Sequence, residues 1–342
     1  MSQVNPIVEP MLRIPRFFRT VRAVGAFDAS YTDSAVTDGG AGYRMRSAMD
    51  LHPRAGKAIS RMGVRHARGA VPTEAQARSS TFVDFDEIDA CVRGLNTDGV
   101  HVFSRRVPDS MVRAMREHAL SATATPRGIT SEPGPFPRSA PEAGRYDINE
   151  DDTMSSPEMQ DYVSDPALAL AASRYLGQPV IQDQTALWWT TPMRSQDADM
   201  NAQLYHQDRD RLSFLKFFVY LTDVEVENGP HMYIRGTHRK TPWSLRSDGR
   251  KTDAIVEQAG LGGRVAEMIG PSGTLMAVDT AGLHKGKPPI SGDRLVLQVE
   301  FATSLFGAHV DYPIFEPSPL SLERYRANPA MLQRWSRSVT SS

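Results

Sequence analysis

Two histidines and an aspartate, His206, Asp208 and His284, are the residues of this 342-residue chain best suited to chemistry, with Arg294 following the last of them. Two imidazoles and one carboxylate are the donor set of non-haem Fe(II) sites that keep their remaining positions open for substrates. His206 and Asp208 flank Gln207. On an extended strand residues i and i+2 point to the same side, so one short segment can offer two neighbouring ligands. The third ligand can come from anywhere the fold brings close. A guanidinium at Arg294 would then hold a carboxylate-bearing co-substrate beside the metal through a bidentate pair. A His-x-Asp tripeptide also arises by chance in solvated loops, so its weight depends on the elements around it.

Those elements read as short strands. Residues 186–191 (Ala-Leu-Trp-Trp-Thr-Thr) form an apolar run before the histidine, and residues 213–222 form a second one after it, rich in aromatic residues. A turn at Glu227-Asn-Gly-Pro230 leads to the short run Met232-Tyr-Ile234 and then to Arg235-Gly-Thr-His238. Pro271-Ser-Gly273 is another turn, followed by Thr274-Leu-Met-Ala-Val278, which ends at Asp279-Thr-Ala-Gly-Leu-His284. Residues 294–301 alternate along a closing strand. Short strands separated by turn signals predict an all-β sandwich or barrel.

In order along the chain, Tyr205-His-Gln-Asp208, Asn228-Gly-Pro230 with Arg235-Gly-Thr-His-Arg239, and Gly282-Leu-His284 through Arg294 resemble the phytanoyl-CoA dioxygenase family, a group of Fe(II)/2-oxoglutarate-dependent oxygenases. The resemblance covers about residues 81–310 in outline and is dense over 203–301. It implies a mainly β fold with flanking helices, built on a double-stranded β-helix (jelly-roll, cupin-like) core with iron at one mouth. By position it implies His206, Asp208 and His284 as ligands of Fe(II), and Arg294 as the partner of the distal carboxylate of 2-oxoglutarate, with O2 as the second co-substrate. The expected outcome is hydroxylation of a small molecule with release of succinate and CO2. Halogenating relatives lack the carboxylate that Asp208 supplies here, which favours hydroxylation or another oxidation.

The chain departs from the family where relatives read His-Gly-Ser, because here the sequence is His284-Lys285-Gly286. The second polar contact to the co-substrate must therefore come from elsewhere. Lys216 alternates with Phe214, Phe218 and Tyr220, and a lysine among them needs an anion or a route to water. Two readings stand: it binds the co-substrate, or the strand's other face is buried and Lys216 is solvated. Gln207, Trp188 and Tyr220 are candidates for the wall around the cofactors; for Trp188, ordinary core packing is equally suitable. His231 and His238 read as structural hydrogen-bonding groups rather than ligands, His309 as a surface residue, and Arg209 and Arg211 as solvated loop arginines rather than contacts to an anionic substrate. Two other functions use the same residues. One is a cupin-type metal enzyme without 2-oxoglutarate, which would leave Arg294 without its anion. The other is a non-catalytic module that binds metal or ligand, which the complete ligand set does not support.

At 37.8 kDa and a net charge of −1 the chain offers no argument for nucleic acid. Cys91 is its single cysteine, so no internal disulfide framework exists, and a reducing cytoplasm is the expected location. No secretory signal and no apolar run of ~18 residues is seen, so no membrane span is expected. Residues 1–80 hold twelve Lys/Arg against six Asp/Glu and read as a basic, partly irregular arm. Residues 11–24 of it, interrupted by Pro15, are read as docking on the barrel or a partner subunit rather than as a transit peptide, which is compatible with a homodimer. Residues 81–342 form the expected catalytic domain. Helices are predicted over 85–95, 108–120 and 166–176, the last stopped by Gly177, with a strand over 99–103 and a short helix over 74–78. Residues 122–160, rich in Pro, Ser and acid, read as a long loop, either a lid that shapes substrate choice or a disordered segment.

Overall fold

The computed structural model describes residues 69–192, 202–246, 249–305 and 311–340, together with Phe18 and Arg22. The readings made for the arm before residue 69, and for His309, lie outside the described residues.

Among the described residues ten strands build two antiparallel sheets: β1 (Val100–Val102), β2 (Ala124–Pro126), β3 (Arg145–Ile148), β4 (Ile181–Thr190), β5 (Phe214–Tyr220), β6 (His231–Ile234), β7 (Val265–Met268), β8 (Leu275–Val278), β9 (His284–Gly286) and β10 (Arg294–Ala302). The larger sheet runs β1-β8-β5-β10-β4-β3-β2 and the smaller β7-β6-β9. The larger sheet has two apolar faces, and strict alternation along each strand creates them. Leu187 and Trp189 of β4, Leu215, Phe217 and Val219 of β5, and Leu295, Leu297, Val299 and Phe301 of β10 turn to the helices and form the main core. Their neighbours Trp188, Phe218, Tyr220, Met276 and Val296 turn the other way and pack on Tyr233, Ala266 and Met268 of the smaller sheet. The jelly-roll core is thus a sandwich whose inner layer carries both apolar and polar side chains.

The helices behind the larger sheet follow local signals. The run predicted from residue 85 begins as a 3-10 turn, Phe85–Glu87, and continues as the helix Ile88–Thr97. Pro108 stands at the N-cap of Asp109–Ser121. In Pro166–Leu176 the Asp165 carboxylate accepts from the Ala167 and Leu168 N–H groups, and Gly177 ends the helix at φ 71°, a conformation a side chain disfavours.

Residues 122–160 differ from the expectation of one long loop. They hold β2 and β3, which extend the larger sheet beyond β4, and the helices Glu150–Met154 and Pro157–Val163. Tyr146 and Ile148 alternate inward with Arg145 and Asp147, and Asn149 and Ser156 cap the two helices. A four-residue strand inside a Pro-rich and acidic stretch leaves too few periods for its alternation to stand out. The four-residue β7 escaped notice for the same reason. Among the described residues no helix is long and apolar enough to cross a membrane.

Candidate metal centre

His206 and His284 meet across an isolated antiparallel bridge, with each backbone N–H donating to the other's carbonyl at 2.9 and 3.0 Å. The bridge sets the two rings 4.3 Å apart, centroid to centroid. In each ring Nδ1 faces the backbone carbonyl two residues earlier, Leu204 O at 2.9 Å and Gly282 O at 3.0 Å. Nδ1 is therefore the donating nitrogen, and the Nε2 lone pair is left for a metal. Asp208 is held by its N–H, which donates to Thr280 O at 2.8 Å. Its Oδ1 lies 3.6 Å from His206 Nε2 and its Oδ2 3.5 Å from His284 Nε2. The three donor groups all lie within 4.8 Å of one another. Two metal–ligand bonds of about 2.1 Å can span the closer separations, so the set fits one ion. The segment that carries the pair is a bridge and not the full strand expected from the sequence.

Electrostatics keep the donors in ligand form. Burial, and then His284 beside it, push His206 down to about 3, so its imidazole is neutral at pH 7. Burial alone would raise the Asp208 carboxyl, but the Lys216 ammonium and then His284 pull it well below the usual carboxylate range. Lys216 is 4% exposed and lies on the inner face of β5 with Phe214, Phe218 and Tyr220. The anion it needs is supplied by the protein: its Nζ donates to Asp208 Oδ2 at 2.8 Å and Asp210 Oδ2 at 3.1 Å, and lies 3.4 Å from Glu300. The solvated reading of Lys216 does not describe this structure. Glu300 is pushed up by burial, and only partly pulled back by Lys216, which makes the closer contacts with the two aspartates.

Arg294 opens β10 opposite Thr190 of β4, and its Nη2 donates to Thr190 Oγ1 at 3.2 Å. The residue is 5% exposed, its Nε has no partner, and among the described residues no carboxylate pairs with it. Burial pushes this guanidinium's pKa down. A buried cation of this kind is costly without an anion, which makes this pocket a candidate anion site.

The other candidate residues fall in varied places. Trp188 lies on the inner face, with the Arg145 guanidinium over its ring at 4.4 Å and Phe218 edge-on at 6.4 Å. Gln207 points away from the two ligands it separates; its Nε2 donates to Ala281 O and Thr241 Oγ1, bracing the loop before His284. The Tyr220 hydroxyl donates to Met268 O, tying the two sheets together. Arg211 is neither solvated nor at the site, because it is buried in a bidentate pair with Asp183. Arg209 donates to Arg246 O. Sequence reasoning missed Thr190 and Arg145, which share one rung with Arg294 across β3, β4 and β10. Only strand register places them there, and no local signal encodes it.

Residues 95–288, more than half of the chain, match the family model described as Phytanoyl-CoA dioxygenase (PhyH). No curated protein matches the sequence. Among solved structures, one similar chain is AviO1 from Streptomyces viridochromogenes Tue57, at 18% identity and a TM-score of 0.45, covering 66% of this chain and 96% of that one. HygX from Streptomyces hygroscopicus, with nickel and 2-oxoglutarate bound, is similar at 16% identity and 0.45, over 62% and 86%. The non-heme alpha ketoglutarate dependent carbocyclase SnoK from nogalamycin biosynthesis is similar at 18% identity and 0.49, over 67% and 86%.

Proposed function

The chain belongs to the phytanoyl-CoA dioxygenase family of Fe(II)/2-oxoglutarate-dependent oxygenases, and from that premise we propose that it hydroxylates a small molecule, with release of succinate and CO2. The observation that carries this reading is the convergence of two histidine Nε2 atoms and the Asp208 carboxylate in a fold that also buries Arg294 with no carboxylate partner among the described residues. In this proposal His206, Asp208 and His284 hold the iron, and Arg294 holds the distal carboxylate of 2-oxoglutarate.

When bound, iron and 2-oxoglutarate together supply the activation of O2 that oxidises a substrate C–H bond. The protein's part is to place and shield them. The two imidazoles are anchored at Nδ1 by backbone carbonyls, which leaves Nε2 of each turned toward Asp208. Lys216 donates to Asp208 Oδ2 and holds the carboxylate beside both Nε2 atoms, where it would serve as the third ligand. Trp188, Phe218 and Val296 line the inner layer with apolar surface that keeps water from the buried charges. The single cysteine, Cys91, is buried in the core, which suits the cytoplasmic location we propose.

The test is succinate release from 2-oxoglutarate on adding Fe(II) and ascorbate, screened across small-molecule candidates. Wild-type protein is expected to couple turnover to one of them, while His206→Ala, Asp208→Ala and His284→Ala each abolish it. An active triple variant refutes the assignment.

A further inference from the structure

Arg294 is not the only unpartnered donor in its pocket. His231 on β6 pairs with Gly286 on β9, and two residues along, on the same face, Tyr233 pairs with His284. Cross-strand partners point to the same face, with Cβ atoms about 4.5–5.5 Å apart. The His231 side chain therefore emerges beside a position that has none. That gap opens on the guanidinium: a Cβ added to Gly286 would stand 3.1 Å from Arg294 Nη2. On its other side the His231 ring stacks on His284, with centroids 5.4 Å apart and planes 17° apart. His231 thus stands between a metal ligand and the anion-binding arginine. Its backbone is pinned, because its N–H donates to the Tyr220 hydroxyl at 3.0 Å. Its Nε2 is buried and has no hydrogen-bond partner, like Nε of Arg294. Buried polar atoms are seldom left this way unless a ligand completes them.

The two lysines that could compete for this role are engaged elsewhere. Lys285, directly after the last histidine ligand, donates to both Asp253 carboxylate oxygens at 2.7 and 2.8 Å. Lys216 is held by Asp208, Asp210 and Glu300. We propose that His231 is the second contact to the distal carboxylate of 2-oxoglutarate, donating from Nε2 to one oxygen while Arg294 holds the group electrostatically. Thr190 Oγ1 accepts from Arg294 Nη2 and fixes the fork. The proposal rests on reading this centre as an iron and 2-oxoglutarate site, and it assigns the contact that the sequence His284-Lys285-Gly286 leaves open.

Anaerobic titration of the Fe(II)-loaded full-length protein tests this, read by the visible absorbance that a 2-oxo acid develops on chelating ferrous iron. Two ligands are compared: 2-oxoglutarate, and 2-oxobutyrate, which chelates but has no distal carboxylate. His231→Leu is expected to weaken 2-oxoglutarate about tenfold or more, the scale of a lost hydrogen bond to a charged group. It is expected to leave 2-oxobutyrate unchanged, and His231→Gln, which keeps an N–H donor, is expected to recover most of the loss. Equal weakening of both ligands, or of neither, overturns the proposal. A second measurement needs no substitution: in Zn(II)-loaded protein with 15N-labelled histidine, the His231 Nε2–H signal should move with 2-oxoglutarate and not with 2-oxobutyrate. A signal indifferent to both overturns it as well. Wild-type protein that binds neither acid sinks the iron and 2-oxoglutarate reading itself, whereas tight wild-type binding with an unaffected variant sinks only the role of His231.

Discussion

A lysine ammonium 2.8 Å from the carboxylate proposed to bind iron is the residue-scale feature on which the centre's electrostatics turn. Lys216 is buried among Asp208, Asp210 and Glu300, so removing it strands several acids in a medium that solvates them poorly. Breaking such a pair by deleting one partner costs about 3–5 kcal/mol. Lys216→Met should therefore lose stability of that order in urea denaturation of the metal-free protein, and an unchanged midpoint would contradict the account. The demand for an anion at Lys216 was legible from its place in an apolar run. The identity of the anion was not, since Asp210 sits in the loop after the ligand pair and Glu300 on a strand that only register brings opposite Lys216. The convergence of His206, Asp208 and His284 was legible because both their residue types and their order along the chain are specific. The sequence reads His231 as a structural group, because nothing local shows that its strand partner is a glycine.

At the scale of elements, the anion pocket depends on how closely β9 approaches the end of β10. Gly286 permits that approach, since even a methyl group there would crowd the Arg294 guanidinium at 3.1 Å. Gly286→Val should displace the guanidinium, weakening 2-oxoglutarate several-fold in equilibrium dialysis while one ferrous ion per chain still binds at His284. Unchanged affinity would show that the pocket lies elsewhere. The long strands β4, β5 and β10 were legible because each spans enough alternating residues to reveal two faces. The short ones were not, and the missed strand β3 carries Arg145, whose guanidinium covers Trp188. Strand order was out of reach altogether, since pairing of β10 with both β4 and β5 is set by the packing of the whole sandwich.

For the whole molecule, the larger sheet divides stability from chemistry between its two faces. Trp189 points to the helices, stacked on Phe136 at 4.4 Å, while its neighbour Trp188 points to the layer shared with the smaller sheet. Trp189→Ala should cost ~3–5 kcal/mol of stability, as large-to-small core substitutions do, with the iron affinity of the folded protein retained. Loss of iron binding in folded Trp189→Ala would mean that the two faces are coupled. The all-β class and the helices behind it followed from periodicity and capping, the jelly-roll core only from the family resemblance, and the extension of the sheet by residues 122–160 from neither.

Anomalous diffraction at the iron edge, from crystals soaked anaerobically with Fe(II), measures the central claim most directly. One strong peak is expected within bonding distance of His206 Nε2, His284 Nε2 and an Asp208 carboxylate oxygen, and it should vanish in Asp208→Ala. A peak at another place, or none in the wild type, would contradict the assignment of this centre.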